Sequence, residues 1–196
     1  GRREPIGEVP RGAAADVDLA VAAGGAGFPA WARVPARDRG RACLVIAAAL
    51  EAREEELARL IASETGNALR TQARGEAKWV ADVFRYFGGL AGELKGKTVP
   101  LGEATPSYTR REPIGIVGAI VPWNAPAQLA SLKIAPAICA GNTLVHKAAE
   151  DAPLAVLMIA EICQAHLPPG VVNVLTGYGA ECGGPLSAHP RIRTLS

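Results

Sequence analysis

The feature that most constrains this chain is an unbroken apolar run, Ile114-Gly115-Ile116-Val117-Gly118-Ala119-Ile120-Val121. A strand with one wet face alternates apolar and polar side chains. A run with no polar member belongs to a strand covered on both faces, as in a parallel sheet between helices. The residues that follow keep to that reading. Pro126 to Ala140 has helical character and closes at Gly141-Asn142. Thr143 to His146 is a second short strand. Pro153 to His166 is a second helix, broken by Pro168-Pro169-Gly170. Val171 to Leu175 is a third strand, Gly177 to His189 holds a turn and a short helix, and Ile192 to Leu195 begins a fourth strand. The order β-α-β-α-β-α-β predicts a parallel sheet with right-handed crossovers.

The preceding residues read as helices. Asp16 or Asp18 caps a first helix that runs towards Trp31, with Gly24-Gly25 as its weak spot. Pro35 opens a second, whose apolar positions Ile46, Leu50, Leu57 and Ile61 keep one helical face until Gly66-Asn67 stops it. A third carries Trp79, Val83 and Phe87 at i, i+4 and i+8, read as a packing face, and ends at Gly88-Gly89. Lys95 to Arg111 is punctuated by Gly96, Pro100, Gly102 and Pro106, with β-prone pieces at Thr98-Val99 and Tyr108-Thr109. It reads as an extended or hairpin-like connector, either an arm that pairs with another subunit or a surface loop. The expected fold class is α/β: a Rossmann-like parallel sheet with flanking helices over 112–196, preceded by a helical N-terminal region over 1–94 and joined to it by the connector 95–111.

Composition removes several functions. Lys+Arg total 21 against 19 Asp+Glu, a net charge of +2, which gives no electrostatic footprint for nucleic acid or an acidic membrane. No apolar run free of charge or proline reaches bilayer length. The start, Gly1-Arg2-Arg3-Glu4-Pro5, lacks the apolar stretch of a signal peptide. Cys43, Cys139, Cys163 and Cys182 are too widely spaced for a zinc pattern, so no metal site is expected. They read as reduced, buried thiols of a cytoplasmic protein.

Ligands of parallel sheets bind outside the carboxyl ends of the strands, which directs attention to three loops. After the first strand, the Asn124 amide can donate into the crevice, and a donor aimed at a developing oxyanion is a strong catalytic device. Asn124 also stands where a cap for the next helix belongs, and on spacing alone the cap leads. After the second strand, Lys147 and Glu150 could hold a ribose diol, the carboxylate favouring NAD over NADP because it repels a 2′-phosphate. A solvated Lys-Glu pair, with Asp151 capping the next helix, is the competing reading. After the third strand, Gly177, Gly179 and Gly183 space as G-x-G-x-x-x-G, one residue longer than the dinucleotide fingerprint. Cys182 lies in this turn with no base near it in sequence and reads as packing. Three weak signals fall at three successive strand ends.

Residues 108–196 resemble the aldehyde dehydrogenase superfamily. The matching stretches are Tyr-Thr-Arg-Arg-Glu-Pro-Ile-Gly-Ile-Val-Gly (108–118), Pro-Trp-Asn (122–124), Lys-Ile-Ala-Pro-Ala (133–137), Ala-Gly-Asn-Thr (140–143), Lys-Ala-Ala-Glu (147–150) and Leu-Pro-Pro-Gly-Val-Val-Asn-Val-Leu-Thr-Gly (167–177). The first half is similar to the family at Ala30-Trp31, Ser63-Glu64-Thr65-Gly66 and Gly96 to Pro100. The resemblance implies oxidation of an aldehyde to a carboxylic acid with NAD or NADP. In that chemistry a cysteine thiolate adds to the aldehyde, hydride passes to nicotinamide, and a Glu-activated water releases the acid. It makes Asn124 the oxyanion donor, overriding the spacing argument, and Lys133 a candidate charge-relay lysine, with an ordinary helix lysine as the alternative. It assigns Val121, Pro122 and Trp123 to the cofactor wall, and Lys147, Ala148, Ala149 and Glu150 to the ribose-binding loop. Gly179 and Gly183 fall at the adenine. Ala148 stands where the family usually has proline, which loosens that turn.

By the same resemblance, 112–196 is an incomplete cofactor-binding domain and the connector an oligomerisation arm of a homodimer or homotetramer. The family's Phe-Thr-Gly-Ser turn, general-base Glu and nucleophilic Cys come after the position of Ser196, and none of the four cysteines here matches that nucleophile. Two readings follow: the N-terminal portion of an NAD(P)-dependent aldehyde dehydrogenase, or a non-catalytic nucleotide-binding or interaction module of the same fold. On either, these 196 residues alone are expected to form no NADH from an aldehyde.

Overall fold

A computed structural model describes residues 5–196; the basic start, Gly1 to Glu4, lies outside them. Four helices come first: α1 (Ala14–Arg33), α2 (Ala36–Ala52), α3 (Glu54–Thr65) and α4 (Arg74–Leu90). The connector carries a single antiparallel bridge, Thr98 to Tyr108. Then β1 (Ile116–Ile120), α5 (Pro126–Cys139), β2 (Thr143–Lys147), α6 (Leu154–His166), β3 (Val172–Leu175), α7 (Gly184–Ala188) and β4 (Ile192–Leu195) alternate. The four strands form one parallel sheet in the order β3-β2-β1-β4. The chain steps outward from β1 to β3, then crosses back to lay β4 on the other side of β1. The strand order therefore reverses at β1, the kind of position where such sheets open a ligand crevice.

The central strands β1 and β2 are covered on both faces, as the apolar run required, whereas β4 is largely exposed. Val17, Ala20 and Val21 of α1 pack with Leu186 of α7 against Ile116 and Val145. On the opposite face α5 and α6 meet Val117, Ala119 and Leu144, and α2, α3 and α4 form a further layer in the same apolar cluster. Trp31 ties the layers together by donating its indole N–H to the Ile138 carbonyl at 3.0 Å. Glycines inside α1 cost about 1 kcal/mol each relative to Ala, and close packing explains one of them. A Cβ on Gly27 would stand 2.9 Å from the Pro169 carbonyl oxygen, in the turn that leads into β3.

Local readings of the helical half need correction. The amino cap of α1 is Ala13, not Asp16 or Asp18; Asp16 sits in the first turn and accepts the Ala13 N–H at 2.9 Å. The expected single helix from Pro35 to Gly66 breaks at Arg53, whose non-helical backbone separates α2 from α3. Gly66 does stop α3, in the left-handed region at φ 77°. The Trp79-Val83-Phe87 stripe is a packing face only in part: Val83 is buried and Phe87 packs partly buried against the core, beside Ala77, Val80, Ala81 and Phe84, but Trp79 is 47% exposed. Among the described residues no helix is long and apolar enough to cross a membrane.

Candidate active site at the carboxyl edge of the sheet

The three loops leave the same edge of the sheet because the strands are parallel, and hydrogen bonds continue past the strand ends, although the recess at Asn124 and the one at Glu150 share no lining residue. The Val121 N–H donates to the Lys147 carbonyl, and the Ala148 N–H donates to Leu175 at 2.9 Å. Beyond β3, Gly177 adopts φ +149° and lies against Gly12, so close that a Cβ would stand 2.5 Å from the Gly12 carbonyl oxygen. The Gly12 N–H donates to the Thr176 carbonyl, and the Thr176 hydroxyl donates to the Pro10 carbonyl. Arg11 pairs with Glu181 and lies over the Tyr178 ring at 4.6 Å. Residues 10–12 thus strap the third loop in place.

Lys147 ends β2 with only 3% of its surface exposed, and its ammonium pairs with Glu150, which is on the surface. The competing reading of a solvated pair fails on the lysine side. Hydrogen bonding from Lys147 holds the Glu150 carboxyl below the usual carboxylate range, helped by its own N–H and by the N–H of Gly179. Ala148 and Ala149 are buried beneath the pair. Asp151 does not cap α6 either; the Leu154 and Ala155 N–H groups donate to Glu64 of α3, at 2.7 and 2.9 Å.

Gly179 and Gly183 differ from Gly177. Neither has positive φ. A Cβ on Gly179 would meet nothing within 4 Å, and on Gly183 only Ile120 Cδ1 at an ordinary 3.6 Å. No clash within the chain requires glycine at these positions, so the room they leave is open to a ligand. Cys182 between them is fully buried, and burial raises its thiol pKa, which agrees with a packing role.

Asn124 is exposed just before α5 and does not cap it. Glu76 of α4 takes that role, accepting the Ala127 and Gln128 N–H groups at 3.0 and 3.1 Å. The Asn124 side chain has no hydrogen-bond partner among the described residues, while its backbone carbonyl is fixed by Asn67 Nδ2 at 3.2 Å. The amide faces a polar recess of about 310 Å³ lined by Asn67, Gln72, Glu76, Trp79 and Gln128. Pro122 and Trp123 are exposed beside it and Val121 is buried behind them. Lys133, on α5, donates to the Ser196 hydroxyl at 2.8 Å and so reaches the end of β4.

Sequence reasoning overlooked several of these groups. Glu76 and Glu64 carry the two caps, and burial raises the carboxyl pKa of both. Glu64 stood in the Ser63-Glu64-Thr65-Gly66 stretch, whereas nothing adjacent in sequence marks Glu76. His146 of β2 is fully buried with neither ring nitrogen hydrogen-bonded among the described residues; burial, and secondarily the Lys133 charge, push it down to about 3, so it is neutral. Among those residues no cluster of three His, Cys, Asp or Glu is placed to hold a metal.

Comparisons with known proteins show the family and the fold. A family model described as the aldehyde dehydrogenase family matches residues 1–196. The fluoroacetaldehyde dehydrogenase of Streptantibioticus cattleyicolor is 40% identical over 193 residues, which cover 98% of this chain and 38% of that protein. The crystal structure of PnpE from Pseudomonas sp. WBC-3 superimposes with a TM-score of 0.95 at 42% identity, covering 98% of this chain and 40% of that one. A PnpE structure in complex with nicotinamide adenine dinucleotide gives a TM-score of 0.94 at 43% identity over 97% of this chain and 39% of that one. The chain spans about 40% of the length of these relatives, and it belongs to the aldehyde dehydrogenase family.

Proposed function

We propose that this chain supplies the dinucleotide cradle and the oxyanion donor of an NAD-dependent enzyme that oxidises an aldehyde to a carboxylic acid. The observation that carries the reading is the Glu150 carboxylate, paired with the buried Lys147 at the carboxyl edge of the sheet. A carboxylate fixed there can accept both hydroxyls of an adenosine ribose, with Lys147 as the donor beside it. Gly179 and Gly183 leave room for the base, and Pro122 and Trp123 offer an apolar wall. The residues present therefore fit a dinucleotide, which when bound supplies the hydride acceptor. The Asn124 amide, spared from capping, can donate to an aldehyde oxygen as negative charge develops on it, and loss of one such donor costs roughly 10²–10³ in rate. Lys133 belongs to the same edge as a charge-relay lysine. The connector 95–111 serves as the arm of a cytoplasmic homodimer or homotetramer, its bridged segments leaving an edge that a second copy can extend.

Calorimetric titration of the chain with NAD tests the cradle. Lys147→Met and Glu150→Ala should each weaken NAD at least tenfold, Asn124→Ala should leave it within twofold, and NADP should bind more weakly than NAD. Unchanged NAD affinity in both loop variants would refute the reading.

A further inference from the structure

At the amino end of β1, across the length of the strands from the Lys147–Glu150 crevice, lies a recess of about 530 Å³. That volume falls within the range of small-molecule sites, about 300–1,000 Å³. Four guanidinium groups line it, Arg33, Arg39, Arg110 and Arg111, against a single carboxylate, Glu112, which is already paired with Arg110.

Arg39 is the informative member. It is only 8% exposed, yet it has no carboxylate partner among the described residues. Its Nε donates to the Cys139 carbonyl at 3.0 Å and one terminal nitrogen donates to the Val34 carbonyl. Its remaining N–H groups have no partner among the described residues. Gly141 closes over the guanidinium, so tightly that a Cβ there would stand 3.1 Å from Arg39 Cζ. Burial lowers the Arg39 pKa from its ordinary value. No Arg39 nitrogen is both buried and without a partner, so the donors left over open on the recess that the side chain lines. An anion seated there would take the place of water on those donors and supply the opposite charge that neutral carbonyls cannot. Arg33 and Arg111, at the rim, are exposed in this chain and engaged in no ion pair among the described residues.

We propose that Arg33, Arg39, Arg110 and Arg111 form a binding site for a small phosphate-bearing anion. The arginine fork matches phosphate oxygens two at a time. Several forks around one recess suit a group with more than one negative charge, as a phosphate ester carries at neutral pH. A singly charged carboxylate would leave most of the positive charge unbalanced.

The test is calorimetric titration of the full 196-residue chain with inorganic pyrophosphate at low ionic strength. Saturable binding of one equivalent is expected. The double variant Arg33→Ala/Arg111→Ala, both at exposed positions, should weaken it at least tenfold, and Arg111→Glu alone should do the same. Lys147→Met should change it less than twofold. Far-UV circular dichroism of each variant checks that the fold is retained. Three results would overturn the site: no saturable heat, equal affinity in the arginine variants, or loss of binding in Lys147→Met in their place.

Discussion

The Glu76 carboxylate crosses from α4 to close the amino end of α5, and its removal should be costly for reasons that can be counted. In Glu76→Ala the Ala127 and Gln128 N–H groups lose their acceptor. Ala127 is fully buried, so its donor is stranded at roughly 1–3 kcal/mol. Gln128 is half-buried beside the polar recess, where water can replace the lost bond at little cost. Lost side-chain packing adds about 0.8 kcal/mol for a buried methylene. The sum is about 2–4 kcal/mol. Glu76→Gln behaves differently. Burial has raised the Glu76 pKa, so the folded chain accommodates a neutral side chain better than the anion. Linkage gives the sign: with the folded pKa above the unfolded one, the group's contribution is greatest below about pH 4.3 and is lost as pH rises through the folded pKa. At pH 7 the amide keeps the accepting oxygen without the cost of a buried charge, and Glu76→Gln should match or exceed the parent. Urea denaturation of the three proteins at pH 7 measures this. An alanine variant within about 0.5 kcal/mol of the parent, or a glutamine variant as damaged as the alanine one, would refute the capping argument.

Two other perturbations test the frame around the site. Gly177→Ala forces a Cβ to within 2.5 Å of the Gly12 carbonyl at a backbone φ of +149°; it should cost at least about 2 kcal/mol and speed proteolysis after Arg11, and a variant with parental stability and cleavage would show that the strap is not tight. Arg74 holds the Glu55 carboxyl down to about 2 across the α3–α4 junction, so its contribution is complete above the unfolded value of about 4.3 and lost as pH falls towards the folded one. Glu55→Gln should remove that part of the acid sensitivity, and an unchanged midpoint of acid unfolding would contradict it.

The sheet was legible because its signal is local. Ile116 to Ile120 is apolar throughout, and only a strand covered on both faces satisfies that pattern. The helical half was less legible where context decides. Nothing in Glu51-Ala52-Arg53-Glu54 forbids helix, and the break at Arg53 coincides with a side chain engaged by Glu56 in its own layer and by Glu161 of α6. Trp79 sat at a spacing shared by buried stripes and groove-facing ones, and period alone cannot separate them.

The same division runs through the site. Lys147, Glu150 and Gly179 are strand-end residues, and parallel pairing brings strand ends together, so topology alone delivers them to one edge. The role of Asn124 could not be settled that way, because cap and donor require the same residue at the same position. What separates them is Glu76, 48 residues earlier in the chain, which reaches α5 only after α4 has packed on it. A carboxylate supplied from another layer satisfies the buried N–H groups and leaves the Asn124 amide unspent. Glu64 does the same for α6, taking the cap that the competing solvated-pair reading gave to Asp151 and leaving the β2–α6 loop to the Lys147–Glu150 pair. In both loops the helical layer provides the caps, and the polar side chains at the strand ends remain available for a ligand.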